Sequence, residues 1–174
     1  MYSAPVEDIS HALRHVAGLE EAMDRGETGE LSPDLLEAIL AEAARFAGAQ
    51  KDMGAVVTFT GIVRDAARGG MVAMEIEHYP GMTQSALEKI AAQAMARWDL
   101  GDALVIHRHG RLERDEMIMM VATAARHRKA AFEAAEFLMD YLKSRAPFWK
   151  KEIAADGAEW VAAKDADEDA LNRW

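Results

Sequence analysis

Residues 54–64, with the sequence GAVVTFTGIVR, decide the fold class that we predict for this chain. The segment is rich in β-branched valine, threonine and isoleucine, which favour strands over helices. A second strand is predicted at 71–78, where large apolar residues alternate with smaller or charged ones. Only a short glycine-containing loop at 65–70 separates the two segments, so they predict a hairpin-like pair rather than a βαβ unit.

The rest of the chain continues this alternation of strands and helices. The predicted elements are a turn at 79–82, a helix at 84–98 capped by Thr83, strands at 103–109 and 116–125, a helix from His127 to about Arg145, and a last strand or turn within 148–161 before an acidic tail. Pro147 ends the second helix, because a proline lacks the N–H that continues a helix. The order β-β-α-β-β-α predicts an α+β domain with an antiparallel sheet and packed helices.

Residues 1–52 are predicted to form an acidic helical extension in front of a second domain at 53–174. Apolar residues at helical spacing predict a helix at 6–24. After a polar break, Ser32 has the position of an N-cap before a proline that opens a helix at 33–47. The residues that we expect this helix to bury are Leu35, Leu36, Ile39, Leu40 and Phe46.

Composition excludes several classes of function. The chain has 174 residues, a net charge of -10 and no cysteine, so it offers no disulfide, no thiolate nucleophile and no cysteine-based metal site. The net negative charge argues against nucleic-acid binding, which needs a basic face. No apolar run approaches the ~20 residues that span a bilayer, and the first residues lack the pattern of a signal peptide. We therefore expect a cytoplasmic protein that neither enters a membrane nor binds nucleic acid.

The cations are concentrated in one stretch. Residues 105–151 carry ten arginines and lysines against six acidic residues, a net +4 in an acidic chain. This pattern suits a small anion, since His127 and Arg128 open a helix whose N-terminus already favours negative charge. A basic surface helix with solvated lysines explains the same pattern, and composition leaves both interpretations open. His107 and His109 have no further ligand at a recognisable spacing, so no metal and no cofactor are expected.

Five separate motifs occur in an order that resembles one family. They are GAVVTFTGIVR at 54–64, HYPGM at 78–82, IHRHG at 106–110, HR at 127–128, and the segment from MDYLK at 139–143 to residue 152. Over some 120 residues they resemble the MoaE family, the catalytic (large) subunits of molybdopterin synthase. The first fifty residues fall largely outside this resemblance.

The resemblance implies an α/β hammerhead-like fold and a homodimer within a heterotetramer. The other subunit would be a small ubiquitin-like sulfur carrier whose C-terminal Gly-Gly ends in a thiocarboxylate. The implied reaction moves sulfur from this thiocarboxylate to cyclic pyranopterin monophosphate and forms the molybdopterin dithiolene. Because the chain has no cysteine, it requires such an external donor. A non-catalytic dimeric module that binds the carrier or a pterin phosphate is the alternative.

The resemblance also implies roles for individual residues. Lys143 and Lys150 match the catalytic lysines of the family, and the matches to its substrate-binding residues are Arg64, His127, Arg128 and, where members often carry an arginine, Lys164. A lysine at position 164 cannot form the bidentate hydrogen bonds that an arginine makes to a phosphate. Arg126 is a further departure, since the family more often has small or hydroxyl residues before the histidine.

One prediction concerns how the site is assembled. His127 and Lys143 lie 16 residues apart on one predicted helix, so their Cα atoms are roughly 24 Å apart. Side chains cannot close that gap around a small substrate. We therefore predict an active site shared between two subunits, with the histidine of one serving the lysines of the other.

Overall fold

The computed structural model describes residues 33–66, 69–161 and 165–174. Its helices are α1 (Pro33–Ala49), α2 (Pro80–Trp98), α3 (Arg128–Ser144) and α4 (Asp165–Leu171); its strands are β1 (Ala55–Ile62), β2 (Met71–His78), β3 (Asp102–His107), β4 (Gly110–Glu113), β5 (Met117–Ala125), β6 (Phe148–Ala154) and β7 (Gly157–Trp160). They form two antiparallel sheets, ordered β1-β5-β3 and β4-β2-β6-β7. The predicted α+β class is confirmed, with two sheets instead of one. No helix in the described ranges is long and apolar enough to cross a membrane.

The three-stranded sheet carries the main core. Its central strand β5 is buried along nearly its whole length, which fits its run of methionine, valine and alanine. Helices α2 and α3 cover one face, where Ala94, Val121 and Leu138 are fully enclosed. The hydroxyl of Thr123 donates to the carbonyl oxygen of Ala131 at 2.8 Å, which satisfies a polar group inside this core.

Helix α1 covers part of the other face of this sheet. Phe46 is only 3% exposed and packs with Leu104 and Met120. The expected burial of Leu40 is wrong, because this side chain is 56% exposed. At about 100° per residue, Leu40 lies roughly 120° around the helix from Phe46 and faces away from the sheet. The expectations for 6–24, for Ser32 and for the side chains at 35, 36 and 39 fall outside the described residues.

The four-stranded sheet has β2 and β6 at its centre. A small second core lies beneath it, formed by Val63, Met71, Ile76 and Leu112. The predicted strand at 103–109 is corrected here, since β3 ends at His107 and the positive φ of 81° at Gly110 starts the separate strand β4. The last predicted strand or turn is the hairpin β6–β7, with β6 seven residues and β7 four residues long.

Helix α2 begins earlier than predicted. It starts at Pro80, with Tyr79 in the capping position, because proline fits the first helical residue. Thr83 is therefore inside the helix and buried rather than its N-cap. Its hydroxyl accepts from the Tyr79 N–H and donates to the Pro147 carbonyl oxygen, each at 3.2 Å. These bonds tie the start of α2 to the end of the α3–β6 connection.

The predicted acidic tail contains a helix that fastens to the end of α3. Ser144 donates through its hydroxyl to the carbonyl oxygen of Asp167 at 2.9 Å, and Arg145 pairs with Glu168 at 2.8 Å. Further along, the Trp174 indole N–H donates to Asp140 at 2.7 Å. The C-terminal segment thus packs along the same helix that carries Lys143.

Candidate functional site

The register of β1 and β5 separates the candidate site residues into two groups. Ala55 pairs with Ala125 at one end of the ladder, while Ile62 pairs with Met117 at the other. The eight residues of β1 span about 24 Å, which is also the length of α3. Helix α3 follows β5 after a two-residue connection and returns along the sheet, so its two ends coincide with the two ends of the ladder.

Arg64, Lys143 and Lys150 lie at one end, called the lysine end below. Arg64 is the second residue after the end of β1 and is exposed, and Lys143 occupies the last turn of α3. Lys150 lies two residues into β6, opposite the buried Ile76 of β2. Three residues connect α3 to β6, and the N–H groups of Arg145 and Ala146 both donate to the Tyr141 carbonyl oxygen, which ends the helix.

Lys143 has an acidic neighbour. Its side chain is 52% exposed, and its Nζ lies 3.9 Å from Oδ1 of Asp167. The carbonyl groups of the last turn of α3 carry partial negative charge, so this end of the helix suits a cationic side chain. The amine remains open to solvent on one side and can reach a small reactant.

Two ring stacks flank Lys150. The imidazole of His107 stacks on Phe148 with ring centroids 3.8 Å apart, and His109 stacks on His78 at 4.0 Å. Burial and, after it, the positive charge of Lys150 lower the pKa of His107 from 6.5 to about 3. No group of three or more potential ligands in the described ranges could hold a metal ion. The uncharged His107 ring, stacked on Phe148, therefore forms a packed wall beside Lys150.

His127, Arg128 and their neighbours form the other group, called the histidine end below. It comprises Gly54, Arg126, His127, Arg128 and Lys129, which line an open pocket of about 490 Å³. His127 is the N-cap of α3 but makes no side-chain capping bond, and the first turn contains no acidic residue. The N–H groups of that turn are available to a ligand.

Gly54 brings two backbone segments into contact at the histidine end. Its N–H donates to the Ala125 carbonyl oxygen at 3.1 Å. A Cβ at this position would lie 2.5 Å from the carbonyl oxygen of Arg126, which is closer than any side chain tolerates. Glycine is therefore required for the pocket to have this shape. With three exposed cations and a helix N-terminus, the pocket suits an anion such as a phosphate.

Two further cations have different positions. Lys164 lies outside the described residues. Arg108 is buried, donates to the Met117 carbonyl oxygen at 2.6 Å and lies 3.7 Å from Glu116, so it serves packing rather than an open anion site. Sequence reasoning did not identify the contact of His107 with Phe148. No local pattern could have indicated it, because the two residues lie on strands of different sheets.

The chain was compared with protein families and with solved structures. The family model described as MoaE protein matches residues 34–145. The molybdopterin synthase catalytic subunit of Cereibacter sphaeroides is 69% identical over 134 residues, which cover 77% of this chain and 91% of that protein. The MoaE protein of Burkholderia ambifaria is 51% identical, with a TM-score of 0.66 over 78% of this chain and 90% of that one.

A more distant structure has the same fold. It is a complex of subunits 1 and 2 of the molybdopterin-converting factor from Helicobacter pylori, with 22% identity and a TM-score of 0.57. The match covers 79% of this chain and 86% of that one. The two-sheet arrangement is therefore retained in sequences that differ at most positions.

Proposed function

This chain belongs to the MoaE protein family, and we propose that it is the catalytic subunit of a molybdopterin synthase. Its reaction would transfer sulfur from the C-terminal thiocarboxylate of a small ubiquitin-like carrier to cyclic pyranopterin monophosphate. The product would be the dithiolene of molybdopterin. The observation that carries the proposal is the separation of two kinds of cation, with amines at one end of α3 and an anion-binding pocket at the other.

We assign the sulfur-transfer chemistry to the lysine end. Lys143 would lie beside the carrier's thiocarboxylate and act as an acid/base group or a transient acyl acceptor. Lys150 and Arg64 would hold and orient the substrate. Support comes from their common location and from the exposed amine of Lys143, which a carrier tail can approach.

We assign recognition of the substrate's phosphate to the histidine end. His127 and Arg128 would contact it together with the free N–H groups of the first turn of α3. Arg126 adds a cation at the rim of the same pocket. Lys164 would add a point charge where family members often have an arginine, a role that rests on the resemblance alone.

The two ends can act on one substrate only if two copies of the chain contribute. A homodimer would bring the histidine end of one subunit to the lysine end of its partner. In the described residues β1 pairs with β5 alone, which leaves its other edge open. Val56, Phe59 and Ile62 on this strand are exposed apolar residues, which suits coverage by another chain. With one carrier for each subunit, the assembly would be a heterotetramer.

Reconstitution with purified components tests the proposal. The chain is mixed with thiocarboxylated carrier and cyclic pyranopterin monophosphate, and product is detected by its fluorescence after oxidation. We expect product with the thiocarboxylate and none with a carrier that ends in an ordinary carboxylate. Binding of carrier and substrate without product would contradict the proposal and favour the non-catalytic binding module.

A further inference from the structure

The two sheets meet at the lysine end through stacked rings. His107 closes β3 in the three-stranded sheet, and its ring lies on Phe148, which opens β6 in the four-stranded sheet, with an interplanar angle of 15°. His109 lies on His78 at 28°. Since His78 and Phe148 are paired in the β2–β6 register, both stacks converge on one cross-strand pair.

The His107 ring is fixed in one tautomer. Its Nδ1 lies 2.8 Å from the carbonyl oxygen of Arg108, and a carbonyl oxygen can only accept. Nδ1 therefore carries the hydrogen and donates it, while Nε2 keeps its lone pair. The charged and titratable groups that face this ring are Lys150 from β6, His78 from β2 and His109 from the β3–β4 connection. Together with burial, they keep the ring uncharged.

Phe148 and Lys150 are two residues apart on β6, so their side chains share one face of the strand. A ring that fixes Phe148 therefore also fixes the direction in which Lys150 leaves the strand. Lys143 is anchored to the other sheet, because α3 packs on β5 and β1. The relative position of the two lysines depends on the contacts that join the sheets, and the His107–Phe148 stack is one of them.

We propose that His107 is a positioning residue for Lys150, an inference that rests on the function proposed above. Its flat ring on Phe148 holds the start of β6 against the three-stranded sheet and sets the distance between Lys150 and Lys143. An uncharged ring suits this place, because a second positive charge would oppose the ammonium of Lys150. The bond from Thr83 to the Pro147 carbonyl oxygen holds the same segment from the side of α2.

Three variants distinguish the effect of the flat ring from the effect of the side-chain volume. His107→Phe keeps a ring that stacks, His107→Leu keeps the volume without the ring, and His107→Ala removes both. We expect kcat to fall roughly 10- to 100-fold in His107→Ala and His107→Leu, since small misplacements of a reacting group cost about this much. We expect His107→Phe to restore kcat to within about threefold of wild type. Equal losses in Phe and Leu variants would overturn the proposal.

A double-mutant cycle shows whether His107 acts through Lys150. In the Lys150→Ala background, His107→Leu should cause no further loss of kcat or of substrate affinity, because the group that it positions is gone. Lys89→Ala, on the exposed side of α2, is the matched control, and there the full effect of His107→Leu should persist. Additive losses in the Lys150 background would overturn the inference while leaving the proposed function intact.

A second measurement does not depend on the reaction. The free chain is treated with a limiting amount of an amine-acylating reagent, and the modification of each lysine is measured by peptide mass spectrometry. We expect Lys150 to be acylated several times faster in His107→Leu than in wild type or His107→Phe, while Lys89 is unchanged. An unchanged Lys150 rate would overturn the positioning role. A wild type that gives this pattern but forms no product would refute the proposed function alone.

Discussion

The lysine end and the histidine end of α3 are both cationic, but the side chains around them differ. At the lysine end, Lys143 has Asp167 within 3.9 Å, and Lys150 lies beside packed imidazoles. At the histidine end, no acidic side chain among the described residues pairs with Arg126, His127 or Arg128, and the helix N-terminus lacks a side-chain cap. At the lysine end, contacts within the chain therefore surround the cations. At the other end Lys129 pairs with Glu133 at 3.6 Å, while Arg126 and Arg128 have no acidic partner in the described ranges, which suits an anionic ligand.

Under the proposed function, this difference means that neither end suffices alone. In the described residues, the lysine end has an amine in the last turn of α3, and the histidine end has the N–H groups of the first turn with the exposed Lys129. A reaction on a phosphorylated substrate needs both kinds of group. The following predictions test whether the two ends have different roles. They also test whether the lysine end of one subunit meets the histidine end of its partner in a dimer.

The largest effect is expected for Lys143→Ala. Removing a group that handles protons or acyl transfer should reduce product formation by roughly 10²–10⁴-fold. The fold should remain, since a helix-end lysine and an exposed ion pair contribute only ~0.3–1 kcal/mol. Initial rates and thermal unfolding measure the two effects, with Lys89→Ala as the matched exposed lysine. Near-normal turnover would show that Lys143 takes no part in the reaction. It would contradict the assignment of sulfur transfer to the lysine end.

Mixed dimers test whether the ends meet between subunits. His127→Ala and Lys143→Ala should each be inactive as homodimers. After subunit exchange, half of the dimers are mixed and each has one intact site, so about a quarter of wild-type activity should return. Exchange is verified by mass spectrometry of differently labelled chains. If exchange is complete and activity does not return, the site lies within one chain.

Sequence alone predicted the two groups of candidate residues and their separation, but not the contacts that pack the lysine end. The rise of a helix is enough to show that His127 and Lys143 are far apart, and the β-branched stretch at 54–64 is enough to predict β1. The contact of His107 with Phe148 joins residues 41 positions apart on different sheets, and no local pattern encodes it. Short strands such as β4 fail for a related reason, because four residues give no measurable periodicity.

Gly54→Ala should affect the histidine end selectively. Its Cβ would meet the Arg126 carbonyl oxygen at 2.5 Å, so the backbone beside the pocket must move. We expect a loss of about 1–3 kcal/mol in unfolding free energy and a raised KM for the substrate. Gly48→Ala is the control, because it lies in α1 with open space around it and should stabilise the chain by up to ~1 kcal/mol. Equal effects of the two changes would contradict a close-packed pocket wall.

The smallest effect concerns protonation at the lysine end. The pKa of His107 is lowered from 6.5 to about 3 in the fold, so between these values the unfolded chain binds a proton that the folded chain excludes. Its contribution to stability is therefore complete above pH 6.5 and is lost as the pH falls, by at most about 1.4 kcal/mol per pH unit. In His107→Phe this proton is absent from both states. The stability of wild type relative to His107→Phe should consequently fall by roughly 2 kcal/mol between pH 7 and pH 5.

Urea unfolding of both proteins at several pH values measures this difference, and titrations of all other groups largely cancel in the comparison. A parallel pH dependence of the two proteins would mean that His107 titrates alike in the folded and unfolded chain. The ring would then accept a proton beside Lys150, and the lysine end would gain positive charge under mildly acidic conditions. The predicted divergence instead means that the His107 ring stays uncharged down to low pH, because packing against Phe148 and the charge of Lys150 both oppose its protonation.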